Sequence, residues 1–337
     1  MAVFSEPAHT PLVTIAGPTG SGKSALALAL AIEFNGELIN CDSLQLYRGL
    51  HIGTAKTPTE ERHGIPHHLL DVLSLQESYS AGEYARAAAK AIDEIAARGH
   101  LPVLVGGTGF YLKALLEGLP QLPERDQALR SRLAQREMQR AGSLHRLLRR
   151  LDPESAANIH SADTQKLMRA LEIRILTGKS RKHASANTPL AGRRVLQLGL
   201  APDGQQLRER LRIRTEAMFS GGLLDEVSKL LSSGATGREK PFEALGYKQA
   251  LQHLRGEIAL DQAVSATWIA TCQYAKRQRT WFRRDPAIHW FPAFGDAPEV
   301  QQEAMEWLRQ TLNGKFSTKG RHEMTLPTAP LYVRRTE

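Results

Sequence analysis

The sequence contains little cysteine and no long apolar run, and both absences narrow its function. Its 337 residues include only two cysteines, Cys41 and Cys272, which are not spaced as Cys-x-x-Cys. A disulfide framework and a cysteine-based zinc site are therefore not supported, and the cysteine content points to the cytosol. No segment approaches the roughly 20 apolar residues that a membrane-spanning helix needs, and the N-terminus lacks a basic segment followed by an apolar core. We expect a cytoplasmic protein without a membrane role.

Acidic residues are also outnumbered. The chain has 44 Lys and Arg against 35 Asp and Glu, which gives a formal net charge of +9. This excess suits a polyanionic partner such as nucleic acid, although a basic surface alone shows only non-specific attraction. The length permits a substantial apolar core, in one large domain or two modest ones.

Strand and helix patterns alternate between residue 12 and about residue 118, which predicts an α/β fold. Ser80 followed three positions later by Glu83 is a capping box that begins an alanine-rich helix. The strand candidates are short apolar segments that end in polar residues or glycine: 12–16, 37–41 and 101–105.

The first strand candidate is followed by GPTGSGKS and then by a helical pattern, which matches the phosphate-binding P-loop motif G-x-x-x-x-G-K-[ST]. In such a loop the backbone N–H groups surround phosphate oxygens, the lysine contacts them and the hydroxyl binds Mg²⁺. We therefore predict a P-loop NTPase-like parallel sheet, with Ser24 as the Mg²⁺ ligand. The predicted diphosphate- or nucleotide-binding residues are Gly17, Pro18, Thr19, Gly20, Ser21, Gly22, Lys23 and Ser24. The motif does not determine which reaction follows.

P-loop hydrolases also need an acidic residue at the end of a strand to position Mg²⁺. The strand candidate at 101–105 ends in glycines, whereas the one at 37–41 is followed by Asp42. Asp42 could hold a metal ion, act as a base, or cap the segment that follows it.

The segment from residue 119 to residue 166 is polar, helical in pattern and rich in arginine. We predict an inserted helical subdomain, although runs of charge are commonly only solvated helix faces. Its arginines include Arg125, Arg130, Arg132, Arg136, Arg140, Arg146, Arg149 and Arg150.

The predicted catalytic core is discontinuous and comprises residues 12–118 and 167–295. Its second part contains a basic loop at 177–194, a strand at 195–200, three helical segments and a last strand at 288–291. Residues 314–337 are polar and are expected to be a disordered tail. The last helical segment carries Lys276, Arg279 and Arg283 at positions i, i+3 and i+7, so they form one basic stripe.

Several motifs in a fixed order give a more specific signal than the P-loop alone. With the P-loop, they make residues 12–292 resemble the tRNA dimethylallyltransferase (isopentenyltransferase) family. The motifs are NCDSLQLYRGLHIGTAKTP (40–58), PHHLLDVL (66–73), YSAGEYA (79–85), VLVGGTGFYLKALLEGL (103–119), RALEI (169–173), GLLDEV (222–227), ALGYKQAL (244–251) and QYAKRQRTWFRR (273–284).

The resemblance implies that dimethylallyl diphosphate donates a five-carbon group to the exocyclic amine of the adenosine 3′ to a tRNA anticodon. It makes diphosphate the leaving group, held by Lys23 and Mg²⁺, and Asp42 the general base. It also implies that Thr108 contacts the substrate and that Arg214 lies near the diphosphate, although Arg210 and Arg212 are close in sequence.

The resemblance further implies that the anticodon stem-loop of tRNA is the partner, and we expect the protein to act as a monomer. The implied tRNA contacts are Asp42, Ser43, Leu44, Gln45, Thr108, Arg130, Gln165, Lys166, Leu167, Met168, Arg169, Lys276, Arg277, Arg279 and Arg283. The alternatives are prenylation of a free adenine nucleotide, a P-loop small-molecule kinase and a non-catalytic RNA-binding protein.

Overall fold

The computed structural model describes residues 10–314, apart from residues 121, 124, 179–185, 188 and 191. The strands are β1 (Leu12–Ala16), β2 (Gly36–Asn40), β3 (His67–His68), β4 (Leu101–Val105), β5 (Leu119–Pro120), β6 (Ala186–Asn187), β7 (Val195–Leu200) and β8 (Ile288–Phe291). The helices are α1 (Lys23–Glu33), α2 (Ala81–Ala97), α3 (Gly109–Leu116), α4 (Gln127–Gln139), α5 (Ser143–Leu151), α6 (Pro153–Ala157), α7 (Thr164–Thr177), α8 (Gly204–Ser220), α9 (Leu223–Ser232), α10 (Tyr247–Leu254), α11 (Leu260–Phe282) and α12 (Pro298–Leu312).

Six strands form one sheet in the order β3-β2-β4-β1-β7-β8, and every neighbouring pair is parallel. In the centre of the sheet, Val13 of β1 lies opposite Val103 of β4 and Leu196 of β7. Because the carboxyl ends of parallel strands meet at one edge, the loops after β1, β2 and β4 lie together there. The predicted α/β fold with a P-loop NTPase-like sheet is confirmed.

Both faces of the sheet are covered by helices, which explains why β1 is apolar along most of its length. Leu12 and Ala16 pack on the face covered by α2 and α3. Val13 and Ile15 point to the other face, where they pack with α1 and α12. This alternation places one apolar core on each side of the sheet.

The local patterns that predicted the helices and strands are confirmed at several points. The Ser80 hydroxyl accepts a hydrogen bond from the Glu83 N–H at 3.2 Å, and the Glu83 carboxylate accepts one from the Ser80 N–H at 2.7 Å. This is the expected capping box at the start of α2. Between β7 and β8, however, the chain forms four α-helices where three were predicted, since Gly222, with φ of 101°, begins a new helix directly after α8. Helix α12 was not predicted.

Helices α4 to α7 form a separate helical unit with its own apolar core. The strands that precede and follow this unit, β5 and β6, pair antiparallel, so the chain leaves and re-enters the main body at one place. The predicted boundary at residue 166 falls inside α7, whose residues Leu167 and Leu171 belong to the core of the unit. We therefore place the end of the helical unit after α7.

Two sequence predictions fall on residues that the structure does not fully cover. The predicted disordered tail lies outside the described residues except for Gly314, and the basic loop at 177–194 is only partly described. Among the residues that are described, no helix has both the length and the apolar character needed to cross a membrane.

Candidate functional site

A cavity of about 380 Å³ lies at the carboxyl-terminal edge of the sheet. Such edges of parallel sheets are common ligand sites because loops from several strands converge there. The residues that line the cavity include Thr19 of the P-loop, Asp42 and Ser43 after β2, Arg214 of α8, and Tyr274 and Arg277 of α11. The cavity therefore brings a phosphate-binding loop, a carboxylate and two arginines together.

The P-loop, residues 17–24, joins β1 to α1 as predicted. Gly22 lies in the left-handed region with φ of 84° and begins α1 without a side-chain cap, so the first N–H groups of the helix have no capping side chain. The Lys23 ammonium donates a hydrogen bond to the Pro18 carbonyl at 2.7 Å, and Ser24 is exposed in the first helical turn. This arrangement suits an anion because uncapped helix N–H groups and positive charge favour it.

Lys23, Asp42 and Arg214 influence one another electrostatically. The pKa of Lys23 is lowered to about 8, mainly by burial and also by Arg214, while Asp42 acts in the opposite direction. Burial also lowers the pKa of Arg214, with Asp42 acting in the opposite direction. The site therefore holds two cations and one carboxylate within interaction range, and Lys23 titrates close to neutral pH.

Asp42 is held by its own strand and by the turn that follows. Asn40 accepts a hydrogen bond from the Asp42 N–H at 2.9 Å and donates to the Asp42 carbonyl at 2.9 Å. One carboxylate oxygen of Asp42 accepts from the Leu44 N–H at 2.9 Å. Asp42 thus caps a turn, as one interpretation predicted, and it also lines the cavity.

The other residues predicted near the acceptor base have different environments. Ser43 and Leu44 line the cavity. Thr108 is not among the lining residues, but its hydroxyl accepts a hydrogen bond from the Ser43 N–H at 3.1 Å. Gln45 donates to the Thr54 carbonyl at 3.1 Å. Thr108 and Gln45 therefore support the loops of the cavity in this structure.

Arg210, Arg212 and Arg214 of α8 have different environments in the structure. Arg214 lines the cavity and has no hydrogen bond or ion pair with any other described residue. Arg210 pairs with Asp296 at 2.8 Å, next to Gly22 of the P-loop. Arg212 lies outside the site and pairs with Glu209 and Glu216. Of the three, only Arg214 is directed into the cavity.

Arg130 and Arg169 of the helical unit are held by a fully buried carboxylate. Glu172 accepts from Arg169 at 2.6 Å and pairs with Arg130 at 3.5 Å, and Arg130 also contacts Gln165 at 3.4 Å. Lys166 is exposed and pairs with Asp163 at 2.6 Å. The polar residues predicted to contact tRNA thus lie together on one part of the unit.

Two predicted tRNA contacts in this unit differ from expectation. Leu167 is 1% exposed and Met168 is 8% exposed, because both side chains pack in the apolar core of the unit. Neither side chain is available to RNA here, so their role is to support α7.

The three cations of the predicted basic stripe on α11 differ in their exposure to solvent. Lys276 and Arg283 are exposed, whereas Arg279 is half-buried beside Gly204 at the start of α8. Burial lowers the pKa of Arg279, and so does the neighbouring Arg283. Arg277 points into the cavity, where it stacks over Tyr274 at 5.7 Å.

The sequence did not identify three residues that structure the site. Asn40 hydrogen-bonds the Asp42 backbone, and Tyr274 lines the cavity. Gln278 hydrogen-bonds both the P-loop and the loop between β4 and α3. The signal for Tyr274 and Gln278 was available, because both lie within the QYAKRQRTWFRR motif. Among the described residues, no group of three or more His, Cys, Asp or Glu side chains could hold a metal ion.

The sequence of this chain is similar to a family model and to several named proteins. A family model described as IPP transferase matches residues 45–285. A tRNA dimethylallyltransferase from Solibacter usitatus is 56% identical over 298 residues, which cover 88% of this chain and 97% of that protein. One from Koribacter versatilis is 46% identical over 302 residues, covering 88% and 98%.

The fold of this chain is also similar to the solved structures of two such transferases. The crystal structure of the full-length tRNA isopentenylpyrophosphate transferase from Bacillus halodurans is 36% identical, with a TM-score of 0.68, and the match covers 91% of this chain and 98% of that one. A eukaryotic dimethylallyltransferase, captured acting on tRNA, is 27% identical with a TM-score of 0.75, and the match covers 90% and 79%.

Proposed function

Because this chain belongs to the IPP transferase family, we propose that it is a tRNA dimethylallyltransferase that uses dimethylallyl diphosphate as donor. The acceptor is the N6 amine of the adenosine 3′-adjacent to the anticodon, and the product diphosphate is released. The observation that carries this proposal is that Thr19 of the P-loop and Asp42 line the same cavity. A phosphate site and a base that share one cavity suit the transfer of a group from a diphosphate to an amine.

The P-loop holds the diphosphate of the donor. Its N–H groups and Lys23 contact the phosphate oxygens, and Arg214 adds a second charge from α8. As the carbon–oxygen bond breaks, negative charge grows on the leaving diphosphate, and these fixed groups stabilise it. Arg214 suits this role because it lines the cavity and forms no ion pair or hydrogen bond with another described residue.

The residues of the P-loop also fit Mg²⁺. The Ser24 hydroxyl is exposed in the first turn of α1, and an oxygen ligand of this kind suits a hard cation. Ser24 would hold the ion together with diphosphate oxygens and water. When bound, Mg²⁺ supplies positive charge that stabilises the leaving group.

Asp42 acts on the acceptor. The adenine N6 lone pair is delocalised into the ring, so the amine is a weak nucleophile until it loses a proton. The Asp42 carboxylate accepts that proton while N6 forms a bond to C1 of the allylic group, and diphosphate leaves with the electrons of the carbon–oxygen bond. Asn40 holds the Asp42 backbone in place for this step.

The target base must leave its stack to reach Asp42, which costs less in an anticodon loop than in a duplex. Ser43, Leu44 and Arg277 line the cavity and contact the flipped base, while Thr108 and Gln45 hold the surrounding loops. The exposed cations Lys276 and Arg283, and the polar residues of the helical unit, contact the tRNA backbone. One monomer provides all of these groups.

Transfer of a labelled dimethylallyl group tests the proposal. The protein is incubated with labelled dimethylallyl diphosphate, Mg²⁺ and bulk tRNA, and we expect label in the RNA at the adenosine 3′ to the anticodon. Parallel reactions replace tRNA with AMP, or the donor with ATP. Label in AMP alone would indicate a free-nucleotide prenyltransferase, and phosphoryl transfer from ATP would indicate a kinase.

A further inference from the structure

We propose that Gln278 is a positioning residue that fixes the P-loop relative to the loop between β4 and α3, and thereby sets the distance between donor and acceptor. The inference rests on the proposed function, because the P-loop is the donor side of the cavity and Asp42 the acceptor side.

The Gln278 side chain joins these two loops directly. It is 5% exposed, its Oε1 accepts a hydrogen bond from the Thr19 N–H at 2.8 Å, and its Nε2 donates to the Gly107 carbonyl at 2.9 Å. Since a backbone N–H can only donate and a carbonyl can only accept, the two partners fix the orientation of the amide. No other side chain among the described residues makes hydrogen bonds to both loops.

The lack of a side chain at Gly107 permits this contact. A Cβ on Gly107 would lie 2.1 Å from Nε2 of Gln278, and the φ of Gly107 is not positive. The position therefore needs glycine because the amide approaches the backbone closely, not because the backbone is left-handed. The close approach and the hydrogen bond from Nε2 to the Gly107 carbonyl are parts of one contact, which a side chain at position 107 would obstruct.

Further contacts link Gln278 to both sides of the cavity. On the acceptor side, Thr108 follows Gly107, its N–H donates to the Cys41 carbonyl at 3.1 Å, and its hydroxyl accepts from the Ser43 N–H, next to Asp42. On the donor side, Thr19 belongs to the P-loop and lines the cavity. One buried amide thus connects the P-loop to the loop between β4 and α3, and Thr108 connects that loop to the segment after β2 that carries Asp42.

Gln278 also connects the site to the surface that contacts tRNA. Its neighbour Arg277 and Tyr274, one turn earlier on α11, line the cavity. Lys276 is exposed on the same turn. A tRNA bound along α11 is therefore placed relative to the P-loop through Gln278.

The positioning role predicts that substitution of Gln278 lowers the rate of transfer but leaves KM nearly unchanged. Gln278→Leu removes both hydrogen bonds, and we expect the single-turnover rate of transfer to fall about 10- to 100-fold, as expected for misplaced reactants. The KM values for donor and tRNA should change by no more than about 3-fold, since uniform binding is retained. The matched control is Gln262→Leu, which removes the hydrogen bond that the Gln262 side-chain oxygen accepts from the Ala259 N–H at the other end of α11. It should lower the melting temperature without lowering the rate.

Gln278→Glu gives a second readout. The introduced carboxyl, when protonated, can donate to Gly107 and accept from Thr19, whereas the ionised form repels the Gly107 carbonyl. We therefore expect the ratio of variant to wild-type rate to rise as pH falls. A ratio that does not depend on pH, or a Gln278→Leu variant with the wild-type rate, would overturn the inference. A wild-type protein that transfers nothing to tRNA would instead contradict the proposed function.

A double-mutant cycle keeps the inference testable if Gln278→Leu folds poorly. Gly107→Ala should lower the rate in the wild-type background because its methyl group displaces the amide. In the Gln278→Ala background the same substitution should have little further effect, so the two losses are not additive. Additive losses would contradict a direct contact between the two positions.

Discussion

The side-chain amide of Asn40 bonds both backbone groups of Asp42, accepting from its N–H at 2.9 Å and donating to its carbonyl at 2.9 Å. The same amide nitrogen donates to the Leu69 carbonyl at 2.9 Å. The proposed base is therefore anchored to β2 and to the segment that follows β3. This anchoring matters because a base must lie within hydrogen-bond reach of the proton that it accepts.

Replacing Asp42 tests its role as the general base. We expect Asp42→Ala to lower the single-turnover rate of transfer by about 10²- to 10⁴-fold, the usual contribution of such a group. Binding of tRNA, measured by gel shift, should survive because the phosphate contacts lie elsewhere. A variant with the wild-type rate would exclude Asp42 as the base.

Replacing Asn40 tests the anchor. Asn40→Ala leaves Asp42 in place but frees its backbone, and we expect kcat to fall by about 10-fold or more because orientation is lost. The control is Tyr84→Phe, which removes a hydrogen bond to the Asn40 carbonyl at 2.9 Å but keeps the side-chain contacts. Both variants should lose stability in thermal melts, whereas only Asn40→Ala should lose rate. Equal rates for the two variants would contradict the anchoring role.

Local patterns predicted the parts of the site that depend on neighbouring residues. The P-loop is one continuous segment between a strand and a helix, and Asp42 directly follows a strand. The apolar spacing of Val300, Ala304 and Leu308 after Pro298 is typical of a helix, but α12 was not predicted from it. Leu167 and Met168 are apolar and buried in α7, although they were predicted to contact tRNA.

Contacts between distant segments could not be predicted in this way. Gln278 bonds Thr19, which is 259 residues away in sequence, and Gly107, which is 171 residues away. Arg210, Arg212 and Arg214 alternate around α8, so only the packing of that helix determines which one enters the cavity. The boundary of the helical unit depends likewise on which core α7 joins.

The buried carboxylate of Glu172 should stabilise the helical unit. Glu172→Ala leaves Arg130 and Arg169 without their partner, and breaking such a buried pair costs about 3–5 kcal/mol. Hydrogen exchange should show faster opening of α4 and α7. The control Glu303→Gln changes an exposed residue of α12 and should shift stability by no more than about 0.5 kcal/mol. Equal effects would mean that the ion pairs contribute nothing.

Salt dependence tests the exposed cations of α11. If Lys276 and Arg283 bind tRNA phosphates, neutralising each should reduce the slope of log affinity against log salt by about 0.7–0.9. Lys90→Ala is a suitable control, because Lys90 is an exposed residue of α2 that pairs with Glu94 at 3.8 Å. The measurement is fluorescence titration of an anticodon stem-loop RNA from low to moderate salt. Slopes unchanged in the Lys276→Ala and Arg283→Ala variants would place the tRNA elsewhere.

The lowered pKa of Lys23 predicts how diphosphate binding depends on pH. The pKa is about 8 in the folded protein without ligand, so the ammonium loses its charge as pH rises through 8. Affinity for inorganic pyrophosphate should then fall, by up to about 10-fold per pH unit above 8, until the pKa of the bound state is reached. Lys23→Arg keeps its charge in this range and should remove this part of the dependence. Calorimetry in two buffers should also detect proton uptake on binding above pH 8.

The same shift predicts the sign of a stability change. The unfolded chain has the ordinary lysine pKa of 10.5, so between pH 8 and 10.5 it binds a proton that the folded protein does not. Stability rises with pH wherever the unfolded state binds more protons, so Lys23 should contribute a gain across this window. Lys23→Met removes the titrating group, and its unfolding free energy should lack that gain relative to wild type. If the two proteins have parallel pH profiles from 8 to 10.5, the Lys23 ammonium is not the buried group that senses the diphosphate.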